Sequence, residues 1–263
     1  MIDPVLQILI GLVFAAGLMS LLWFVQRRTK NAGIVDVAWA GSIGVMGTFF
    51  AVTSGGHAGR RLLAGALIGL WSIRLTVYLY RRVVGHQEEG RYATLRANWG
   101  DAADARFFRF YQMQALAALA FALPILVAAW NSNPLGRVEG IASAALWLAG
   151  LTGLVLADGQ LARFKSDPAN RGKTCREGLW RYSRHPNYFF EWIHWWAYVP
   201  LAVGTSYWWV ALAVPLVLLY FILCVTGIPP TEAQALASRG DDFRRYQKTT
   251  SALVPWFPRK EGR

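Results

Sequence analysis

Apolar residues in this chain do not alternate with polar ones. They fall into seven blocks almost without charge, at 5–26, 33–54, 62–80, 110–130, 138–157, about 188–204 and 207–228. A helix needs about 20 residues to cross a hydrocarbon core of about 30 Å, and most of the blocks reach that length. Only the short turn 204–206 separates the last two. The pattern predicts an all-α, polytopic membrane protein with seven transmembrane helices in a single domain, 1–263. The first block opens at Asp3-Pro4 with no basic segment before it, and it exceeds the apolar region of a secretory signal. It is expected to stay as a helix.

Charge adds a direction. Of the 27 Lys and Arg residues, 23 lie in segments 27–32, 81–109, 158–187 and 229–263, whereas the alternate connections hold only Arg60, Arg61 and Arg137. The positive-inside rule then puts the N-terminus outside and the C-terminus in the cytoplasm. Basic loops facing anionic lipid account for the net charge of +12. No soluble basic domain is present to suggest nucleic acid as a partner. Cys175 falls in a loop and Cys224 in the last block, so no disulfide is expected. No metal-ligand spacing occurs.

Two ionisable residues interrupt the apolar blocks: Asp36 in NAGIVDVAWAG and Arg74 in LWSIRLTVY. Such groups face the bundle or a cavity. Either they neutralise each other across two helices, or one lines a pocket. An unpaired Asp36 in a dry site would hold its proton and act as a hydrogen-bond donor. Tyr78 shares a helical face with Arg74.

The connections carry further chemistry. The loop RRVVGHQEEGRYATLRANWG suggests a folded cap, with GRYATLR as a short helix and Arg91 and Arg96 exposed. In LADGQLARFKSDPANRGKTCREGLWRYSRHPN the fifth helix continues, with Asp158, Ala162 and Lys165 on one face. Asp167-Pro168 ends it. The basic turn 170–173 follows, with Gly172 suited to positive φ, and it offers Arg171, Lys173 and backbone amides to a phosphate.

The stretch LWRYSRHPNYFFEW is the densest in polar chemistry. Pro186 suits the first position of a helix. Arg184 and His185 then sit at an N-terminus that attracts anions. Asn187, Glu191 and Trp195 recur every four residues and form one inward stripe. Cations outside, then an amide and a carboxylate, then an aromatic deeper in, suit a ligand with outer phosphates and a flat polar ring. Glu191 would alternatively serve only to cap its own helix.

GLWRYSRHPNYFFEW, with FKSDPANRGK before it and FRRYQKTTSALVPWFP after the last block, resembles the steroid 5α-reductase superfamily, and its bacterial branch above all. NAGIVDVAWAG, WSIRL and GHQEEGRYATLR fit that branch too. The resemblance implies a seven-helix membrane reductase, in a bacterial inner membrane, that passes a hydride from NADPH to an activated C=C bond of a lipophilic enone. It implies cofactor contacts at Arg74, Asp158, Lys165, Lys173, Tyr182, Asn187, Glu191 and Tyr246, mostly within 158–263, and Arg184 and His185 join them as cations at the helix start, near phosphate. It places Tyr78 in the catalytic region and Asp36 and Trp71 toward substrate; Trp195, deepest on the stripe, is expected there too, and Asp36, when protonated, is the candidate donor to the carbonyl oxygen. Steroid-reducing members carry a Gln-Glu pair where this chain has Val35-Asp36, and a Tyr where it has Trp71. Both departures argue against a 3-oxo-steroid substrate. Two other classes compete: an S-adenosylmethionine-dependent membrane methyltransferase of the isoprenylcysteine carboxyl methyltransferase type, and a non-enzymatic lipid-binding bundle.

Overall fold

The computed structural model describes residues 1–88 and 90–259. Glu89, inside the expected cap, and 260–263 lie outside the described residues. Among the described residues ten α-helices run in order: α1 Pro4–Thr29, α2 Ile34–Thr53, α3 Ala58–Val83, α4 Gly90–Trp99, α5 Ala103–Trp130, α6 Arg137–Ser166, α7 Pro186–Trp195, α8 Val199–Ala202, α9 Trp208–Tyr220 and α10 Ile228–Thr249. Six helical runs among the described residues are long and apolar enough to cross a membrane: Pro4–Thr29, Ile34–Thr53, Ala58–Val83, Gly90–Trp130, Arg137–Ser166 and Trp208–Thr249.

The block at 188–204 does not form one helix. α7 stops after ten residues, a 3-10 turn covers Trp196–Tyr198, and α8 adds four residues. Pro200 explains the break. It has no N–H for the carbonyl of Trp196, which accepts the N–H of Val199 instead.

The backbone groups into two compact units, residues 1–140 with 201–211, and 141–200 with 212–263. In the first unit, α1 starts on a cap: Asp3 Oδ1 accepts the N–H groups of Val5 (2.9 Å) and Leu6 (3.3 Å), ahead of Pro4. It ends on Lys30 in the left-handed conformation, with Arg27 and Arg28 in the last turn. α2 and α3 approach along small residues. A Cβ on Gly44 would stand 2.1 Å from Ser72 Oγ, and one on Gly47 would stand 2.9 Å from Ile68. Lipid gives helices no hydrophobic reason to associate, so such close backbone packing has to supply it.

Polar fastenings close this unit at both ends. Near the α2–α3 turn, buried Gln7 donates to Thr53 Oγ1 and accepts from Trp130 Nε1 at 2.7 Å. Arg60 is 1% exposed and donates to the carbonyls of Asn133, Leu201 and Pro134 and to Glu139. At the other end, the expected cap helix forms as α4. Arg91 is exposed as expected, but Arg96 is not. Its guanidinium donates to both oxygens of Glu88 (2.8 and 3.0 Å) and to Gln26. Glu88 also accepts the N–H of Ala32. The carboxylate draws Arg96 inward because it must itself be satisfied there.

In the second unit, α6 and α7 cross at glycines. A Cβ on Gly150 would stand 2.7 Å from the backbone nitrogen of His194, and one on Gly153 would stand 2.2 Å from the Phe190 ring. α9 passes into a π-helical turn at Phe221–Val225 before α10, whose residue Gly240 breaks helical geometry at φ 51. Ile222, Ile228 and Leu253 form a small core under Tyr188, Phe189 and Trp192.

Cys175 and Cys224 are both free thiols. Cys175 is 2% exposed, and burial pushes its thiol pKa up. Cys224 is exposed on the apolar run. An apolar maleimide at neutral pH should therefore modify Cys224 at least about tenfold faster than Cys175, because alkylation needs an accessible thiolate. Mass spectrometry of the labelled chain checks this; equal rates would contradict the burial of Cys175.

Candidate functional site

The chemistry-rich segment of the second unit is built around the start of α7. α6 runs on to Ser166, which carries Asp158 and Lys165 past the apolar block as the periodicity predicts. Asp167 then accepts the N–H of Ala169 at 2.9 Å, and Pro168 opens a single 3-10 turn. Gly172 has φ 77 with open space around it. Lys165, Arg171 and Lys173 are exposed.

The chain next folds back on α6. Gly178 sits at φ 54, where a Cβ would meet the Gln160 amide at 2.4 Å. Gln160 Oε1 accepts the N–H of Leu179 (2.8 Å), and Trp180 Nε1 donates to the carbonyl of Ala157 (2.9 Å). The stretch before α7 is also stitched to the C-terminal tail. Ser183 bridges Ser251, Ser183 Oγ donates to Leu253, the N–H of Arg184 donates to Ser251, and the N–H of Trp256 donates to Tyr182.

Pro186 is the first residue of α7, as its missing N–H predicts. On the expected stripe, Trp195 Nε1 donates to Glu191 Oε1 at 3.1 Å. Asn187 is half-buried, and its side-chain oxygen accepts the N–H of Tyr188. Its amide nitrogen donates to no group among the described residues. Trp195 is 1% exposed and floors the stripe.

Three residues expected on the cofactor turn inward. Arg184 donates through Nε to Glu232 (2.6 Å) and through its terminal nitrogen to the carbonyls of Gln247 and Thr250. His185 Nε2 lies 3.1 Å from the same Glu232 oxygen, and its ring stacks on Tyr188 at 5.2 Å. Tyr246 is 2% exposed, with its hydroxyl on the carbonyls of Trp180 and Ser183. All three bind the chain to itself. Glu232 and Gln247 were not singled out in the sequence. Glu232 follows Pro229-Pro230 with no periodic or motif signal, 48 residues from Arg184.

In the first unit, Asp36 accepts from Arg91 on both oxygens (2.8 and 2.7 Å) and from the Tyr92 hydroxyl (2.8 Å). Its ion-pair partner is thus Arg91, where one reading of the sequence offers Arg74. The Arg74 guanidinium lies over the Tyr78 ring at 5.1 Å. Tyr78 is 39% exposed, and Trp71 is fully buried, edge-on to Trp39 at 6.3 Å. Tyr182 is half-buried, edge-on to Phe257. No group of His, Cys, Asp and Glu residues among the described residues is arranged to hold a metal.

A family model described as a protein of unknown function (DUF1295) matches residues 22–250. An uncharacterized protein of Schizosaccharomyces pombe is 30% identical over 214 residues, which cover 71% of this chain and 62% of that protein. The chain thus spans under two thirds of that relative's length. No solved structure matches.

Proposed function

We propose, from the premise that this chain belongs to the DUF1295 family of proteins of unknown function, that it is a membrane reductase with NADPH as hydride donor and a lipophilic enone as substrate. The supporting observation is the stripe on α7, where Asn187 and Glu191 lie above buried Trp195 in a helix started by proline. Its donor set suits a nicotinamide dinucleotide. Exposed Lys165, Arg171 and Lys173 bring cations for phosphates, while the Asn187 amide nitrogen and the Glu191 carboxylate offer a donor and an acceptor to a carboxamide.

When bound, NADPH supplies a hydride to the enone β-carbon, and a proton taken at the α-carbon completes the saturated product. The chain's own part is to bind and orient. Lys165, Lys173 and Arg171 hold negative charge at the loop, and Asn187 and Glu191 fix the ring end. Trp195 closes the inner side against water, which strengthens those polar contacts. Asp158 and Tyr182 belong to the same loop surface. This reading counts the broken α7–α8 segment as a seventh crossing. It places the N-terminus outside and the C-terminal tail, with the nucleotide, on the cytoplasmic side of a cell membrane. The resemblance to the steroid 5α-reductase superfamily supports it. Val35-Asp36 and the burial of Trp71 turn it away from 3-oxo-steroids.

Purified protein in detergent, titrated separately with NADPH and S-adenosylmethionine, should gain thermal stability with NADPH alone. A ligand at 100 times its dissociation constant stabilises by about 2.7 kcal/mol. A shift with S-adenosylmethionine and none with NADPH would overturn the reductase reading in favour of a methyltransferase.

A further inference from the structure

Glu232 is where three distant segments of the second unit meet. Its Oε1 takes both the Arg184 Nε–H (2.6 Å) and His185 Nε2 (3.1 Å), and its Oε2 takes the Gln247 amide (2.6 Å). The side chains are enclosed, at 12% exposure for Arg184 and Glu232 and 5% for His185. The next contacts outward belong to the same knot. Tyr188 stacks on His185 and lies 3.1 Å from Thr231 Oγ1, and Arg184 reaches Thr250 beside the Ser183–Ser251 bridge.

The knot sits at one particular place. His185 precedes the first residue of α7, and its own side chain makes no capping bond there. A helix N-terminus without a side-chain cap takes its direction from whatever else holds it. Here that is Glu232, acting through the residue before the proline and the residue before that. Asn187 is the next residue, and Glu191 follows one turn on, so the direction in which α7 sets out decides where the stripe faces.

We infer that Glu232 is a positioning residue for the mouth of α7: by holding Arg184 and His185 it aims Asn187 and Glu191 at the ligand. Its service to a nucleotide rests on the proposed reductase reading, whereas its hold on α7 does not. A carboxylate is needed because one oxygen must satisfy a guanidinium and an imidazole together while the other takes an amide. Glutamine in its place keeps the volume but offers one acceptor oxygen and brings an NH2 donor into a site made of donors.

The test has two arms. In the first, amide hydrogen exchange compares wild type with Glu232→Gln and Glu232→Asp in detergent, without ligand. Protection should fall over residues 184–191 in Glu232→Gln and stay unchanged in α6 and α9, with Glu232→Asp recovering part of it. Loss spread evenly over the unit, or no local loss, would overturn the inference. In the second arm, NADPH-dependent reduction of a long-chain enone is followed. Glu232→Gln should raise KM for NADPH about tenfold and leave kcat at saturating NADPH within about twofold. A merely structural carboxylate would lower the active fraction and leave KM alone, and that result would overturn the positioning role. Arg244→Ala, at an exposed pair with Asp241, should change neither arm. If wild type binds no NADPH, the reductase reading fails, and the exchange arm alone decides whether Glu232 positions α7.

Discussion

Gly150→Leu should yield no folded protein, and Gly150→Ala should lower the unfolding temperature by roughly 5–10 °C. A Cβ at this position would lie 2.7–2.8 Å from the nitrogen, Cα and Cβ of His194. Backbone cannot rotate away as a side chain can, so α6 and α7 would have to separate. Overpacking typically costs about 1–3 kcal/mol, and a kilocalorie moves the midpoint of a chain this size by about 2–4 °C. The estimate for alanine sits at the upper end because the contact is backbone. Leucine adds three more carbons where none fits. Gly159→Ala is the control on the same helix, with nothing within 4 Å of its Cβ position. There the change should stabilise by about 0.5–1 kcal/mol through lower backbone entropy. Thermal unfolding in detergent reads the two alanine variants, and the yield of monodisperse protein reads the leucine variant. If Gly150→Ala melts with wild type, the close α6–α7 crossing is wrong.

Arg60→Leu should cost about 3–5 kcal/mol. The side chain is 1% exposed, and its loss strands three carbonyls, of Asn133, Leu201 and Pro134, together with the Glu139 carboxylate. Lysine should recover little. A single ammonium on a flexible stem cannot serve acceptors that a planar fork meets from three nitrogens. Arg60→Leu combined with Glu139→Leu should destabilise less than the sum of the two single changes, since the stranded charge goes with its partner. Additive losses in that double-mutant cycle would show that the ion pair contributes nothing.

Periodicity and length carried most of the fold. Five of the seven apolar blocks correspond to the long helices α1, α2, α3, α5 and α6, and the last opens as α9. Local rules also placed the start of α7 at Pro186, the end of α6 before Asp167-Pro168 and positive φ at Gly172. The break at 196–202 was present as Pro200, but an apolar run outweighs one proline when hydropathy is averaged. The polar pairings were not legible. Asp36 and Arg91 are 55 residues apart, and Glu232 is 48 and 47 residues from its two basic partners. Nothing periodic links such positions. A basic residue beside a helix start reads the same whether a ligand phosphate or the chain's own carboxylate will meet it. The sequence therefore located the polar stretch around α7 and could not tell which of its cations face inward. The stripe itself, from Glu191 to Trp195, needed only helical spacing.

The break at Pro200 has a consequence for how the apolar segments divide the work. Hydrocarbon cannot hydrogen-bond a backbone that leaves regular helix, so irregular chain at membrane depth has to be enclosed by protein. Ala197, Tyr198, Leu201 and Ala202 are each 0% exposed, whereas α1 turns Leu6, Leu9, Val13, Leu21 and Phe24 outward. Two apolar stretches thus meet different surroundings. The backbone around the break is buried, so altering the bilayer should act first on the long helices that carry outward apolar side chains.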